Sequence, residues 1–569
     1  MSDRLSELEA KVAALASEVR RLDERLSNFE RGPVSALELA PAPEEGSPWP
    51  DTADFARALA LGGRTFLVLA GAFVLRAVTE AAVVPSGLGV VLGLVFGGTW
   101  LAMADRAGRG GQRLSAVVHG LAAAIIGFPL LFEATTRFHL FSPTVAGLGL
   151  AALSAAALGV AAHRSLHALA WVVLAAGLLT APALALATGR LVPAALYLVA
   201  LGVATLWLGY AKGWTFLPWP VALVADLFVF VLTFRAVGER ATETVGAALL
   251  TAAALLLGYL GSVVVHTLIL ERGVLALEFA ASALAMLAGV GGALILVART
   301  GVAAAGTGLG FLACGLLAYA VAMGWVLRRE RIGARFHLYA SLALGFTLAG
   351  SALLLSGPPL VVSWLGLALL LAVIARLRLR VLALHAAVFA LAAAGVSGLL
   401  AEATATVAGR EAAGAALHAP ASVLVLATLA LVTSITAGTT ARPRLAERVP
   451  QALLLTALLV AAAGLAMSAL LPAVAGEDAA ASAGRVATAR TAVLVGGVLA
   501  LAALGRTGAF LEARWLVYPW LAAVGLKILL EDLPRGRPAT LVLTFALFGT
   551  ALIAVSRLRR RPAPEAGQG

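Results

Sequence analysis

From about Leu61 to Ser556 the chain is a succession of apolar runs, each long enough to cross hydrocarbon as a helix, joined by short turns that carry arginine. A helix needs about 20 apolar residues to span a bilayer, and within hydrocarbon it satisfies all its backbone groups in one segment. The pattern predicts an all-α, polytopic transmembrane helical bundle. About eighteen spans fit, at roughly 20 residues each. Their centres fall near residues 74, 96, 123, 152, 177, 200, 225, 256, 286, 314, 346, 367, 390, 428, 461, 497, 523 and 547. With 61% hydrophobic and 13% charged residues, a soluble multidomain protein is excluded.

The formal charge of +12 marks topology rather than nucleic-acid binding, because the arginines lie in turns and not along one soluble face. Arg106, Arg109 and Arg113 follow the second span; Arg328, Arg329, Arg331 and Arg335 the tenth; Arg376, Arg378 and Arg380 the twelfth; Arg442, Arg444 and Arg448 the fourteenth. All fall on one side, with the tail residues Arg557, Arg559, Arg560 and Arg561. Positive residues concentrate on the cytoplasmic face, so both termini are expected in the cytoplasm. Turns this short make consecutive spans antiparallel neighbours, giving stacked helical hairpins. Gly89, Gly93 and Gly97, and likewise Gly306 and Gly310, recur at four-residue spacing that lets helices approach closely.

Four segments are expected: a coiled coil over 1–30, a Pro-rich linker over 31–58, the transmembrane domain over 59–557 and a basic, disordered tail over 558–569. Leu5, Leu8, Val12, Leu15, Val19, Leu22, Leu26 and Phe29 alternate gaps of three and four and so keep one apolar seam. Such a seam fits a second copy or a partner helix; a helix lying on the membrane is the other reading. Pro33, Pro41, Pro43, Pro48 and Pro50 make the linker an extended tether.

An ionisable group in hydrocarbon is costly unless paired or watered, so each one is a candidate. Arg76 and Glu80 stand four apart in the first span, as do Lys527 and Glu531 near the end, with Asp532 adjacent. These residues could form one outer-leaflet polar site for an anionic or zwitterionic group, or salt bridges that clamp the hairpins. Asp226 follows Leu217-Pro218-Trp219-Pro220, whose missing amides would free carbonyls, and is the best lone candidate for a protonatable group. His119, His266 and Glu278 read as satisfied interfacial groups near water. His163 and His167 share metal-like spacing without an acid between them, and the single Cys314 sits in an apolar span as a small core residue, so no metal and no cofactor is expected. Neither a phosphate-binding Gly-x-x-x-x-Gly-Lys loop nor a Gly-x-Ser-x-Gly elbow occurs, and catalysis is the least supported class.

The run Gly525-Leu526-Lys527-Ile528-Leu529-Leu530-Glu531-Asp532-Leu533, then a last span and a basic tail, resembles the ending of the bacterial family called domain of unknown function 2339. The opening is similar too: a coiled coil, a Pro-rich tether, Gly63-Arg64, Arg76, then Pro85-Ser86-Gly87 before a Gly-rich span. That family usually has Lys at the place of Arg76 and Asp or Asn near Glu80. The resemblance implies a multi-pass protein of the bacterial cytoplasmic (inner) membrane and transfers no active residues. The leading expectation is a transporter-like or lipid-handling membrane protein, with the bilayer as its partner and no nucleic acid. The rival is a non-catalytic envelope scaffold that recruits a partner through its coiled coil.

Overall fold

The computed structural model describes residues 84–238, 243–329, 332–409, 420–437, 445–474, 479–507 and 509–558. The coiled-coil seam, the linker, Arg76, Glu80 and nearly all of the basic tail lie outside the described residues. Every regular element among the described residues is helical. They are α1 (Ser86–Arg109), α2 (Arg113–Thr136), α3 (Pro143–Arg164), α4 (His167–Thr188), α5 (Val192–Lys212), α6 (Pro218–Val237), α7 (Val245–Ile269), α8 (Ala276–Thr300) and α9 (Ala304–Arg329). Then come α10 (Ala334–Leu354), α11 (Pro358–Leu377), α12 (Leu382–Val396), α13 (Leu399–Val407), α14 (Pro420–Thr436), α15 (Leu445–Val474), α16 (Ala479–Leu504), α17 (Ala513–Asp532) and α18 (Pro538–Leu558).

Fifteen of these helices are long and apolar enough to cross a membrane. Two expected spans look different. The one near residue 390 is the pair α12 and α13, bent by 69°. Its bend follows from Ser397 and from Gly398, whose φ of 81° ends the first helix in a conformation that favours glycine. The one near 428, α14, is a shorter apolar helix. Large apolar side chains point outward throughout: Leu186 is 86% exposed, Leu250 73% and Leu317 67%. Such belts are untenable in water over so much surface and fit a lipid solvent, which makes the chain a multi-spanning membrane protein.

Proline placement explains several helix starts. Pro193, Pro218 and Pro358 occupy first-turn positions of α5, α6 and α11, where the absent amide proton has no intrahelical acceptor to lose. The Pro218–Pro220 stretch therefore opens α6 rather than breaking it, and the span that holds Asp226 is continuous. At the start of α7, Thr244 Oγ1 accepts a hydrogen bond from the Ala247 amide at 3.2 Å. Among the described residues four helices contain a π-helical turn: Val265–Ile269 in α7, Met286–Val290 in α8, Ala320–Val326 in α9 and Ile528–Asp532 in α17.

Contacts divide the chain into two units, Met1–Ala134 with Ala156–Val173, and Thr135–Ala155 with Leu174–Gly569. In the first, the buried Gly89, Gly93 and Gly97 form the contact stripe of α1, and a Cβ on Gly93 would lie 2.5 Å from Leu130 of α2. Asp105 accepts from Arg109 and from Arg164 Nε, the latter at 2.6 Å. His163 and His167 are separated by the break between α3 and α4, with Ser165 at φ 53°, so they do not share a helix face. His167 Nε2 accepts from Trp171 instead.

In the second unit, α9 packs on its neighbour α10 and α11 on α12, as short turns require, while α13 also pairs with α15 and α16 with α18. Gly306 and Gly310 face open space; the close approach of α9 to α10 uses Gly308 and Gly315, against Leu354, Gly350 and Thr347. Cys314 is exposed on the outer side of α9, not in the core. One core gathers Trp364, Phe389, Leu399, Leu429 and Leu454 from α11 to α15. Another gathers Val498, Val517, Val524, Ile528 and Ala551 from α16 to α18.

Candidate functional site

Both sets of candidates that can be placed, the C-terminal ion pairs and Asp226, lie in the second unit. Lys527, Glu531 and Asp532 come together with two residues of α16 that the sequence did not single out, Arg490 and Thr491. Lys527 Nζ donates to the Ala487 carbonyl at 2.5 Å, to Thr491 Oγ1 at 2.7 Å and to both carboxylate oxygens of Asp532 at 2.9 Å. Thr491 Oγ1 in turn donates to Asp532 Oδ2 at 2.7 Å. Arg490 pairs with Glu531. The four-residue pair Lys527–Glu531 is the looser contact, at 3.6 Å. The cause is the π-helical turn Ile528–Asp532, which widens the helix so that a residue five positions on, not four, returns to the same face.

An ammonium has three protons to donate, and a backbone carbonyl, a hydroxyl and a carboxylate take them. Two positive and two negative side chains cancel. Asp532 is 1% exposed, and Lys527 keeps no donor for an incoming group. The arrangement ties α16 to α17. Gly409 enables it from a third side: a Cβ there would lie 2.0 Å from Arg490 Nη1.

A second network spans α5, α7 and α8. Glu278 is fully buried; its Oε1 accepts from Tyr210 Oη at 2.9 Å and lies 2.7 Å from His266 Nδ1, while its Oε2 accepts from the Leu275 amide at 2.6 Å. Tyr210 stacks flat on His266, centroids 3.9 Å apart. His266 and Glu278 are partnered by each other and by Tyr210.

Asp226 differs from both. It lies on the buried stripe of α6 with Val221, Ala222, Ala225, Val229 and Thr233, is 7% exposed, and neither carboxylate oxygen has a hydrogen-bond partner among the described residues. Two more buried polar atoms are unpartnered nearby in the fold: Tyr259 Oη on α7 and Ser282 Oγ on α8. Helix register puts them at one depth. Thr233 of α6 meets Gly292 of α8, and α6 and α8 are parallel, so Asp226, seven residues earlier, is level with residue 285. Leu256 of the antiparallel α7 meets Gly289, which makes Tyr259 level with residue 286. At 1.5 Å per residue the three side chains start within about one helical turn of each other. Tyr259 is also within electrostatic range of Asp226, and its hydroxyl fills the space over Gly202 of α5. The π-helical turn Met286–Val290 begins at this depth.

No family model, no curated protein and no solved structure matches the chain.

Proposed function

We propose that this multi-spanning membrane protein is transporter-like, with Asp226 as its coupling group. What carries the reading is the contrast among three deeply buried acids. Glu278 and Asp532 each have several protein partners, whereas neither carboxylate oxygen of Asp226 has a hydrogen-bond partner among the described residues. A carboxylate left unbonded between apolar helices costs several kcal/mol, roughly the penalty for burying an unpaired polar or charged group, and such residues mark ion and proton pathways. The π-helical turn at the same depth supports it, since single π turns inside α-helices occur often at working sites.

The lipid-handling form of the idea is the weaker one, because the described half of the outer polar site, Lys527, Glu531 and Asp532, is already engaged by its own members and by Ala487, Arg490 and Thr491 of α16. The proposal keeps the expected setting: a bacterial inner membrane, both termini cytoplasmic by the arginine bias, and the likeness to domain of unknown function 2339 as a likeness of architecture. The test is flux in sealed proteoliposomes under an imposed ion gradient, comparing the full chain with Asp226→Asn. Wild-type flux that the variant abolishes, at equal incorporation and folding, supports the reading. Equal flux in both removes Asp226 from the mechanism. A wild-type chain that moves no ion, while deletion of residues 1–30 abolishes the cellular role, favours the scaffold.

A further inference from the structure

We infer that Asp226, Tyr259 and Ser282 line a single site for a small monovalent alkali cation, of which sodium is the type. The inference rests on the coupling role given above to Asp226 and names the ion it would take. Four oxygen atoms without hydrogen-bond partners among the described residues, two from the carboxylate and one from each hydroxyl, occur on three neighbouring helices within about one helical turn of depth. Side chains so buried, 7%, 1% and 2% exposed for Asp226, Tyr259 and Ser282, ordinarily find partners in protein or ordered water.

Charge and donor type narrow the occupant. The three side chains carry at most one negative charge between them, so a single positive charge leaves the site neutral, whereas a divalent ion would leave a net charge among apolar helices. Carboxylate and hydroxyl oxygens, with no sulfur or imidazole bonded to Asp226, suit hard cations. A proton would cancel the charge too, but it occupies one carboxylate oxygen and leaves the rest of the set to be satisfied separately. A hydrated alkali ion engages the whole set. The carboxylate is the direct ligand, and the hydroxyls of Tyr259 and Ser282 reach the ion directly or through a retained water.

Location supports the ion as well. Toward one end of the same helices, satisfied groups fix the neighbouring turns: Trp207 Nε1 donates to Ser262 Oγ at 3.0 Å, Thr267 bonds Tyr339 at 2.7 Å, and Glu278 fastens Tyr210 and His266. The π-helical turn of α8 begins at Met286, four residues after Ser282, and gives this wall a point at which the helix can change pitch without losing its ends.

The experiment measures binding with no gradient present, so that it is independent of transport. Purified full-length protein in mild detergent is melted in sodium, lithium, potassium or choline chloride at constant ionic strength, and radioactive sodium binding is measured on the same samples. A ligand that binds only the folded state raises its melting temperature with ligand concentration, so sodium or lithium should raise it saturably over choline, with one sodium bound per chain. Asp226→Asn should abolish both effects. Tyr259→Phe and Ser282→Ala should weaken half-saturation by about 10- to 100-fold, the range for disturbing groups that orient a bound metal. Identical melting in all four salts with no bound sodium overturns the inference, as does undiminished binding in a folded Asp226→Asn protein. Sodium binding without any flux would sustain this site and defeat the transporter reading; flux without alkali binding would do the reverse.

Discussion

In α17 the carboxylate of Asp532 meets an ammonium and a hydroxyl, and Arg490 closes the adjoining Glu531. In α6 the likewise buried Asp226 has no hydrogen-bond partner for its carboxylate among the described residues. Both acids sit beside a π-helical turn, within the turn for Asp532 and across a helix interface for Asp226. The difference lies in what the opposite helix supplies. α16 brings the Thr491 hydroxyl and the Ala487 carbonyl to Lys527, so the low dielectric strengthens a complete network. At the level of Asp226, α7 and α8 place the hydroxyls of Tyr259 and Ser282, which also have no hydrogen-bond partner among the described residues. A completed cluster fixes helix positions; an incomplete one invites an exchangeable ligand.

The largest expected break in that comparison is Lys527→Met. It leaves Asp532 buried opposite a thioether, and removal of one partner from a buried ion pair costs about 3–5 kcal/mol. Reversible unfolding in mixed detergent should register the loss. Replacing both partners, Lys527→Met with Asp532→Leu, should recover most of it, because two apolar side chains carry no desolvation penalty. If the double variant is as unstable as the single one, the network is not an electrostatic clamp.

Next in size is Gly202→Ala. Its new methyl would stand 2.0 Å from Tyr259 Oη, so the ring must turn away or α5 and α7 must part. Overpacking of this kind costs about 1–3 kcal/mol. The same change should loosen any ion held near Tyr259, whereas Gly246→Ala, at an open position, should alter neither stability nor binding. Below it stands Thr491→Val, which deprives Lys527 and Asp532 of the hydroxyl between them at unchanged shape; about 1–2 kcal/mol is expected for a buried hydrogen-bonding group left short of a partner.

These effects also mark where the sequence stopped being legible. Span existence needs only apolar length, so α1 to α11 lie where the runs place them. The bend between α12 and α13 turns on Ser397-Gly398, a small-residue break that an apolar count passes over. Asp226 and Lys527 stand out because charge inside an apolar run is rare. Arg490 did not, since it follows Arg485 near a span start and reads as part of an arginine-bearing turn. Tyr259, Ser282 and Thr491 look like ordinary polar residues of membrane helices, and only helix register gives them neighbours. The π-helical turns leave no periodic trace in such uniform composition. For that reason the four-residue spacing pointed to Glu531 as the partner of Lys527, an ion pair that is present at 3.6 Å, but did not rank Asp532, at 2.9 Å, as the closer one.

The smallest effect is the most informative one. Asp226→Asn in choline chloride, with no alkali ion present, should change unfolding stability by less than about 0.5 kcal/mol or raise it slightly, in contrast to the loss at Lys527, because no protein hydrogen bond is broken and a neutral amide is less costly to bury than a carboxylate. Adding sodium should then separate the two proteins, since only the wild type gains a ligand that prefers the folded state. A drop of several kcal/mol in choline would mean that Asp226 already holds its helices together by bonds of its own. In that event the two acids are the same device in two places, and α6 has a clamp where we assign an ion site.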